Sequence, residues 1–104
     1  MKKKQLIRSK FREAVFNRDD NKCLICGAKE LLDAHHITDR NDMPNGGYVL
    51  ENGISLCPEH HLMAEQYHIS NGNSYPEEFH PDDLYELINS SYEKAYRSSE
   101  RLKK

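Results

Sequence analysis

Between Ser9 and Asp19 the apolar residues Phe11, Ala14, Val15 and Phe16 recur at three- and four-residue spacings, the pattern of an amphipathic helix lying on a domain. The polar run Asp19-Asp20-Asn21 should end it. A strand is expected over residues 31–37. The polar cluster Asp39-Arg40-Asn41-Asp42 and the run Pro44-Asn45-Gly46-Gly47 then predict a loop, with a second strand beginning at Tyr48-Val49-Leu50. Glu51-Asn52-Gly53 reads as a turn, and Ile54-Ser55-Leu56-Cys57 leads into Pro58, a residue suited to the first turn of a helix over residues 58–67. Residues 70–76 form a linker by composition. Pro81-Asp82-Asp83 opens a last helix with the apolar stripe Leu84, Leu87, Ile88 and Ala95, fading into Arg101-Leu102-Lys103-Lys104. The chain contains neither an internal repeat nor a low-complexity block.

Length allows one domain: 104 residues of which 37% are hydrophobic make a thin core for a self-sufficient fold, so an extra staple is expected. Disulfides account poorly for three cysteines, Cys23, Cys26 and Cys57, because an odd number cannot all pair. No apolar run is long enough to cross a bilayer, and Met1-Lys2-Lys3-Lys4-Gln5 lacks the apolar stretch of a secretory signal. The expected location is intracellular and cytoplasmic, with no membrane partner. The net charge of -2 gives no global attraction to nucleic acid, yet Lys2, Lys3, Lys4, Arg8, Lys10 and Arg12 precede the first acidic residue. Such a run is either a solvated, partly disordered terminus or a set of phosphate contacts.

Cys23-x-x-Cys26 and Cys57-x-x-His60 are two ligand pairs at zinc-site spacing, together supplying the four donors of a closed tetrahedral site. A lone CxxC serves redox chemistry as well, but a redox pair requires no second ligand pair. Structural zinc of this kind contributes about 10 kcal/mol or more to folding of small domains, which would offset the thin core.

His35 and His36 are adjacent on the first strand, so their side chains should point to opposite faces, one available to a metal and the other to chemistry. On the helix after Pro58, His61 diverges by about 100° from the zinc ligand His60 and is free to serve a second metal. Glu65, four residues on, shares its face and is placed to assist at that metal.

The combination Cys23-x-x-Cys26, Asp33-Ala34-His35-His36-Ile37 and Asn52-x-x-x-Leu56-Cys57-x-x-His60-His61 resembles the HNH endonucleases, over roughly Cys23 to Glu65. The resemblance implies an α+β fold: a small ββα-metal (His-Me finger) core with a Cys3His zinc knuckle, flanked by an N-terminal and a C-terminal helix. It implies one domain across residues 1–104, with the core at about 20–69 and a helical extension at about 80–101. It makes His36 the general base, Asn52 the residue that holds the hairpin loop and base in position, and His61 and His35 ligands of a catalytic divalent metal, with Glu65 beside them. Many family members carry aspartate where this chain has His35, a departure toward an imidazole-rich site.

The implied activity is metal-dependent hydrolysis of DNA phosphodiester bonds, with double-stranded DNA the expected partner, a weak sequence preference, and Arg12, Arg18 and Arg40 as phosphate clamps. A neutral histidine near its usual pKa of about 6.5 accepts a proton from water, and a divalent ion stabilises the departing oxygen. Zn²⁺ is expected in the knuckle and Mg²⁺ or Mn²⁺ at the catalytic site, with Ni²⁺ or Zn²⁺ as alternatives. Small stand-alone domains of this type are similar to those of phages or restriction systems, and a homodimer or a partner protein fits the size. The competing reading is a non-catalytic zinc module that binds nucleic acid or protein. Taken alone, Asn52-Gly53 is an ordinary turn signal, and the tyrosines at helical spacing pack more often than they stack on bases. His68 and His80 receive no role.

Overall fold

A computed structural model describes residues 3–102. Lys2 of the basic run and Lys103 and Lys104 of the tail lie outside the described residues. Helix α1 spans Lys3–Arg18, strand β1 Asp33–His36, strand β2 Gly53–Leu56, helix α2 Pro58–Ile69, helix α3 Pro81–Leu87 and helix α4 Tyr92–Glu100. The fold is α+β, as expected from the sequence. No helix among the described residues is long and apolar enough to cross a membrane.

The two strands pair antiparallel in the register Asp33↔Leu56, Ala34↔Ser55, His35↔Ile54 and His36↔Gly53. All four residues of β2 are buried, because helices cover both faces of the ribbon. On one face Gly53 and Ser55 meet α1. A Cβ at Gly53 would lie 2.5 Å from Val15 Cγ2 and 2.8 Å from Phe11 Cζ, so glycine is what lets α1 approach. On the other face Ile54 and Leu56 join a core with Ile37, Ala64, Leu84, Tyr85 and Ala95. Period-two alternation therefore assigns His36, opposite Gly53, to the α1 side and His35, opposite Ile54, to the α2 side.

Strand β1 is shorter than the expected 31–37 and α2 runs two residues past 67, and three boundaries differ more. The N-terminal helix begins at Lys3 rather than near Ser9, so the described basic side chains stand on a helix and not on a loose tail. The second strand is Gly53–Leu56, while Leu50–Asn52 form a short 3-10 turn and Val49 before them is extended but unpaired. A hydrophobic triplet at 48–50 carried strand propensity, but the residues that pair with β1 are the ones flanking Cys57. The single C-terminal helix is two, broken where Asn89 takes a left-handed φ of 55° and Ser91 caps α4 by accepting from the Lys94 N–H at 3.1 Å.

Asp19, expected only as a helix terminator, is buried and ties α1 to the sheet. Its carboxylate accepts from Arg18 Nε at 2.6 Å and from the Ser55 N–H at 2.8 Å. The Arg18 guanidinium also donates to the Gly53 and Leu50 carbonyls at 2.6 and 2.8 Å. Arg18 is thus turned onto the fold, which corrects its expected place among the phosphate clamps.

Candidate metal centre and cleft

The turn after α1 brings Cys23 and Cys26 together. Gly27 adopts φ 82° and its N–H donates to the Cys23 carbonyl at 2.8 Å, closing a knuckle that a larger residue would strain. Cys57 caps α2 and Pro58 starts it, which fixes His60 one turn along. The four ligand atoms of Cys23, Cys26, Cys57 and His60 lie within 4.8 Å of one another. Cys26 and Cys57 Sγ are 3.8 Å apart, and His60 Nδ1 is 3.2 Å from Cys57 Sγ and 3.8 Å from Cys23 Sγ. Sulfurs bound tetrahedrally at about 2.3 Å from one zinc ion stand about 3.8 Å apart, so donor type and spacing both fit that ion. Burial pushes the Cys23 thiol up, but the backbone donors of Cys26, Cys57 and Ile25 outweigh it and bring its pKa down to about 7, favouring thiolate.

A second cluster sits between β1 and α2. His35, Glu65 and His68 place ligand atoms within 4.8 Å of one another. His35 is 2% exposed, and its Nδ1 lies 3.3 Å from Glu65 Oε1 but out of line for a hydrogen bond. Both of its ring nitrogens are buried without a hydrogen-bond partner among the described residues. Orphaned buried nitrogens facing a carboxylate are costly in an apolar core and suit a divalent cation. Burial drives the His35 pKa down, leaving the ring neutral with a lone pair to give. Glu65 is held below the usual carboxylate range, chiefly by the His35 ring beside it.

His61 stands at the rim of this cluster. Its Nε2 is 3.2 Å from Glu65 Oε1, its Nδ1 is 3.2 Å from Asp33 Oδ2, and its ring centroid is 5.2 Å from that of His35. His68, to which the sequence reading gave no role, stacks against His35 at 5.2 Å, and its Nε2 donates to the His36 carbonyl at 3.0 Å. A carbonyl only accepts, so Nε2 carries the proton and Nδ1 keeps the lone pair that a metal uses. The signal was present in the chain: His61, Glu65 and His68 recur at i, i+4 and i+7 along α2.

His36 occupies the opposite face. Its ring stacks on Phe11 at 4.5 Å and meets the edge of Tyr48 at 4.8 Å. Nε2 is buried without a partner, which leaves Nδ1 as the nitrogen that meets water. Burial, then the charges of His35 and Arg40, lower its pKa to about 4. A cleft of about 370 Å³ joins the two faces, lined by Arg8, Arg12, Arg40, His36, His61 and Glu65 among others. Arg40 donates to the Tyr48 hydroxyl at 2.9 Å, and Arg12 lies 4.9 Å above the Phe16 ring. Phe11 was read as core and Tyr48 as strand; their contact with His36 depends on the tertiary approach of α1.

Asn52 is completely buried beneath the hairpin connection. Its Oδ1 accepts from the Thr38 N–H at 2.9 Å and the Tyr85 hydroxyl at 2.7 Å, while Nδ2 donates to the Thr38 and Gly47 carbonyls at 3.1 and 3.2 Å. It clamps both ends of the connection just after His36. The C-terminal helices reinforce the clamp: Tyr85 comes from α3, and the Ser99 carbonyl of α4 accepts from Asn45 Nδ2 at 2.9 Å. His80 caps α3, its Nδ1 accepting from the Asp82 N–H at 3.0 Å.

A two-stranded ribbon and one helix surrounding a His- and Glu-lined cleft, braced by a Cys3His cluster, define a ββα-metal domain. Residues 23–70 match the family model described as HNH endonuclease, and this segment holds both ligand clusters and the whole hairpin. No curated protein and no solved structure matches the chain.

Proposed function

We propose that the chain is a metal-dependent endonuclease that hydrolyses DNA phosphodiester bonds, with His36 as general base. The observation that carries this reading is the cleft itself: a neutral imidazole boxed by Phe11 and Tyr48 on one wall and a His- and Glu-rich cluster on the other. His35, Glu65 and His68 would hold a divalent ion, with His61 at its margin, and the ion would supply Lewis-acid stabilisation of charge on the phosphate and the departing 3' oxygen. Zn²⁺ would fill the Cys3His cluster and act on folding alone.

The remaining steps belong to the chain. A water adds to phosphorus as its proton passes to His36, and the P–O bond on the far side breaks. The base is neutral across the physiological range because burial lowers its pKa. Arg8, Arg12 and Arg40 line the cleft with donors for the non-bridging phosphate oxygens. Asn52 positions the base by fixing the connection that follows it.

The test is relaxation or linearisation of supercoiled plasmid by zinc-loaded protein in Mg²⁺, Mn²⁺ or Ni²⁺. Cleavage that stops on chelation of the added ion supports the reading. A protein that binds DNA yet cuts under no metal would instead be a non-catalytic zinc module.

A further inference from the structure

A larger cleft, about 780 Å³, opens beside the cleavage cleft between the N-terminal part of α1 and the loop through Arg40 and Asn45. Lys3, Lys4, Arg8 and Arg40 line it, and no acidic side chain among the described residues does. Lys4 and Arg8 stand one turn apart, on the same face of α1. Arg8, Arg40 and Tyr48 line both clefts, so the two are continuous. The charge is local: a chain with 17 acidic and 15 basic residues is net acidic, yet no acidic residue precedes Glu13. An acidic protein that handles a polyanion needs its cations gathered where the polyanion lies.

We infer that this groove is a track for the nucleic-acid strand, whose phosphates leave the cleavage cleft past Arg8 and Arg40 and run along α1 over Lys3 and Lys4. The assignment deepens the nuclease reading and rests on it. Arg8 and Arg40 are shared with the cleavage cleft, whereas Lys3 and Lys4 touch only the groove. The groove therefore serves affinity, and the cleft serves chemistry. Polar Asn41 lines the loop side and suits sugar and phosphate oxygens without reading base sequence, while Asn45, whose Nδ2 donates to the Ser99 and Leu102 carbonyls, shapes the wall.

The experiment compares the full zinc-loaded chain with Lys3→Glu/Lys4→Glu and with Lys22→Glu/Lys29→Glu, which makes the same change in net charge at exposed positions outside both clefts. Glutamates in the first turn of α1 favour the helix, so the groove variant should fold. Fluorescence anisotropy reads binding to a labelled DNA duplex across a salt series, and hydrolysis of bis(4-nitrophenyl) phosphate reads chemistry on a diester too small to reach the groove. The groove variant should bind about tenfold or more weakly at low salt, with a log–log salt slope shallower by about two, and the control should match the parent. Hydrolysis of the small diester should be unchanged in both variants. A groove variant that binds within about twofold of the parent with the same slope overturns the track, as does an equal loss in the control. Should the parent hydrolyse neither plasmid nor small diester while the binding difference persists, the track stands and the nuclease reading falls.

Discussion

Asn52→Ala removes the side chain that joins the two ends of the hairpin connection, and its cost follows from the partners left behind. Four hydrogen bonds between 2.7 and 3.2 Å disappear. Tyr85 keeps its 2.6 Å contact with Thr38 Oγ1 and is not orphaned. The Thr38 N–H loses its partner, and the Thr38 and Gly47 carbonyls each lose a donor. An unsatisfied buried donor costs about 1–3 kcal/mol, and carbonyls that recruit water cost less, so the sum is about 3 kcal/mol. For a domain of this size that lowers Tm by roughly 12–24 °C. Urea and thermal unfolding of zinc-loaded protein at fixed free zinc reads it, because zinc binding itself shifts the midpoint. Asn52→Asp sharpens the test. It keeps an acceptor for Thr38 and Tyr85 but sets a carboxylate against two carbonyls, so it should be at least as damaging at neutral pH and recover as acid protonates it. A loss below about 0.5 kcal/mol in both variants would refute the clamp.

Exhaustive zinc removal should abolish cooperative unfolding of the isolated chain, read by calorimetry, since a thin core depends on the knuckle; an unchanged Tm contradicts the structural assignment. His68→Ala should weaken Mn²⁺ binding, measured by titration calorimetry on zinc-loaded protein, by at least about 10-fold; unchanged affinity would return His68 to a purely structural part. Gly53→Ala forces a Cβ against Val15 and Phe11, so it should cost about 1–3 kcal/mol in urea unfolding and slow cleavage by moving Phe11 off His36. Burial raises the Tyr85 pKa from 10.0 to about 12. Between these values the unfolded chain releases a proton that the folded chain keeps, so stability contributed by Tyr85 is complete below pH 10 and falls as pH rises. Tyr85→Phe should flatten that alkaline decline, and an identical slope in both proteins would rule out the buried phenol as its source.

The Cys3His donors were legible because ligand chemistry dictates spacing: CxxC and CxxH pairs carry their meaning without knowledge of the fold. His35 and His36 were legible for the same kind of reason, since period two sends neighbours to opposite faces, and the register with Ile54 and Gly53 does so. What escaped was set by tertiary approach. Phe11 could be read only as apolar, and its stacking on His36 follows from the missing Cβ at Gly53. Tyr48 to Leu50 had strand propensity, but the left-handed Asn45, Gly46 and Gly47 turn the chain so that pairing begins later. His68 was passed over because it lies past Glu65, where the motif read in the sequence ends, although one more turn of α2 carries it back over His35. The break at Asn89 is a matter of cap chemistry at Ser91, visible in the sequence as Asn-Ser-Ser within an otherwise helical pattern.

The most direct test of the central claim is single-turnover cleavage of plasmid DNA by His36→Ala beside the parent, both shown to be folded and to hold the same zinc. The account predicts that the variant binds DNA and the divalent ion as the parent does but cuts about 100-fold or more slowly, the usual contribution of a positioned general base. Equal cleavage by the two proteins would contradict it.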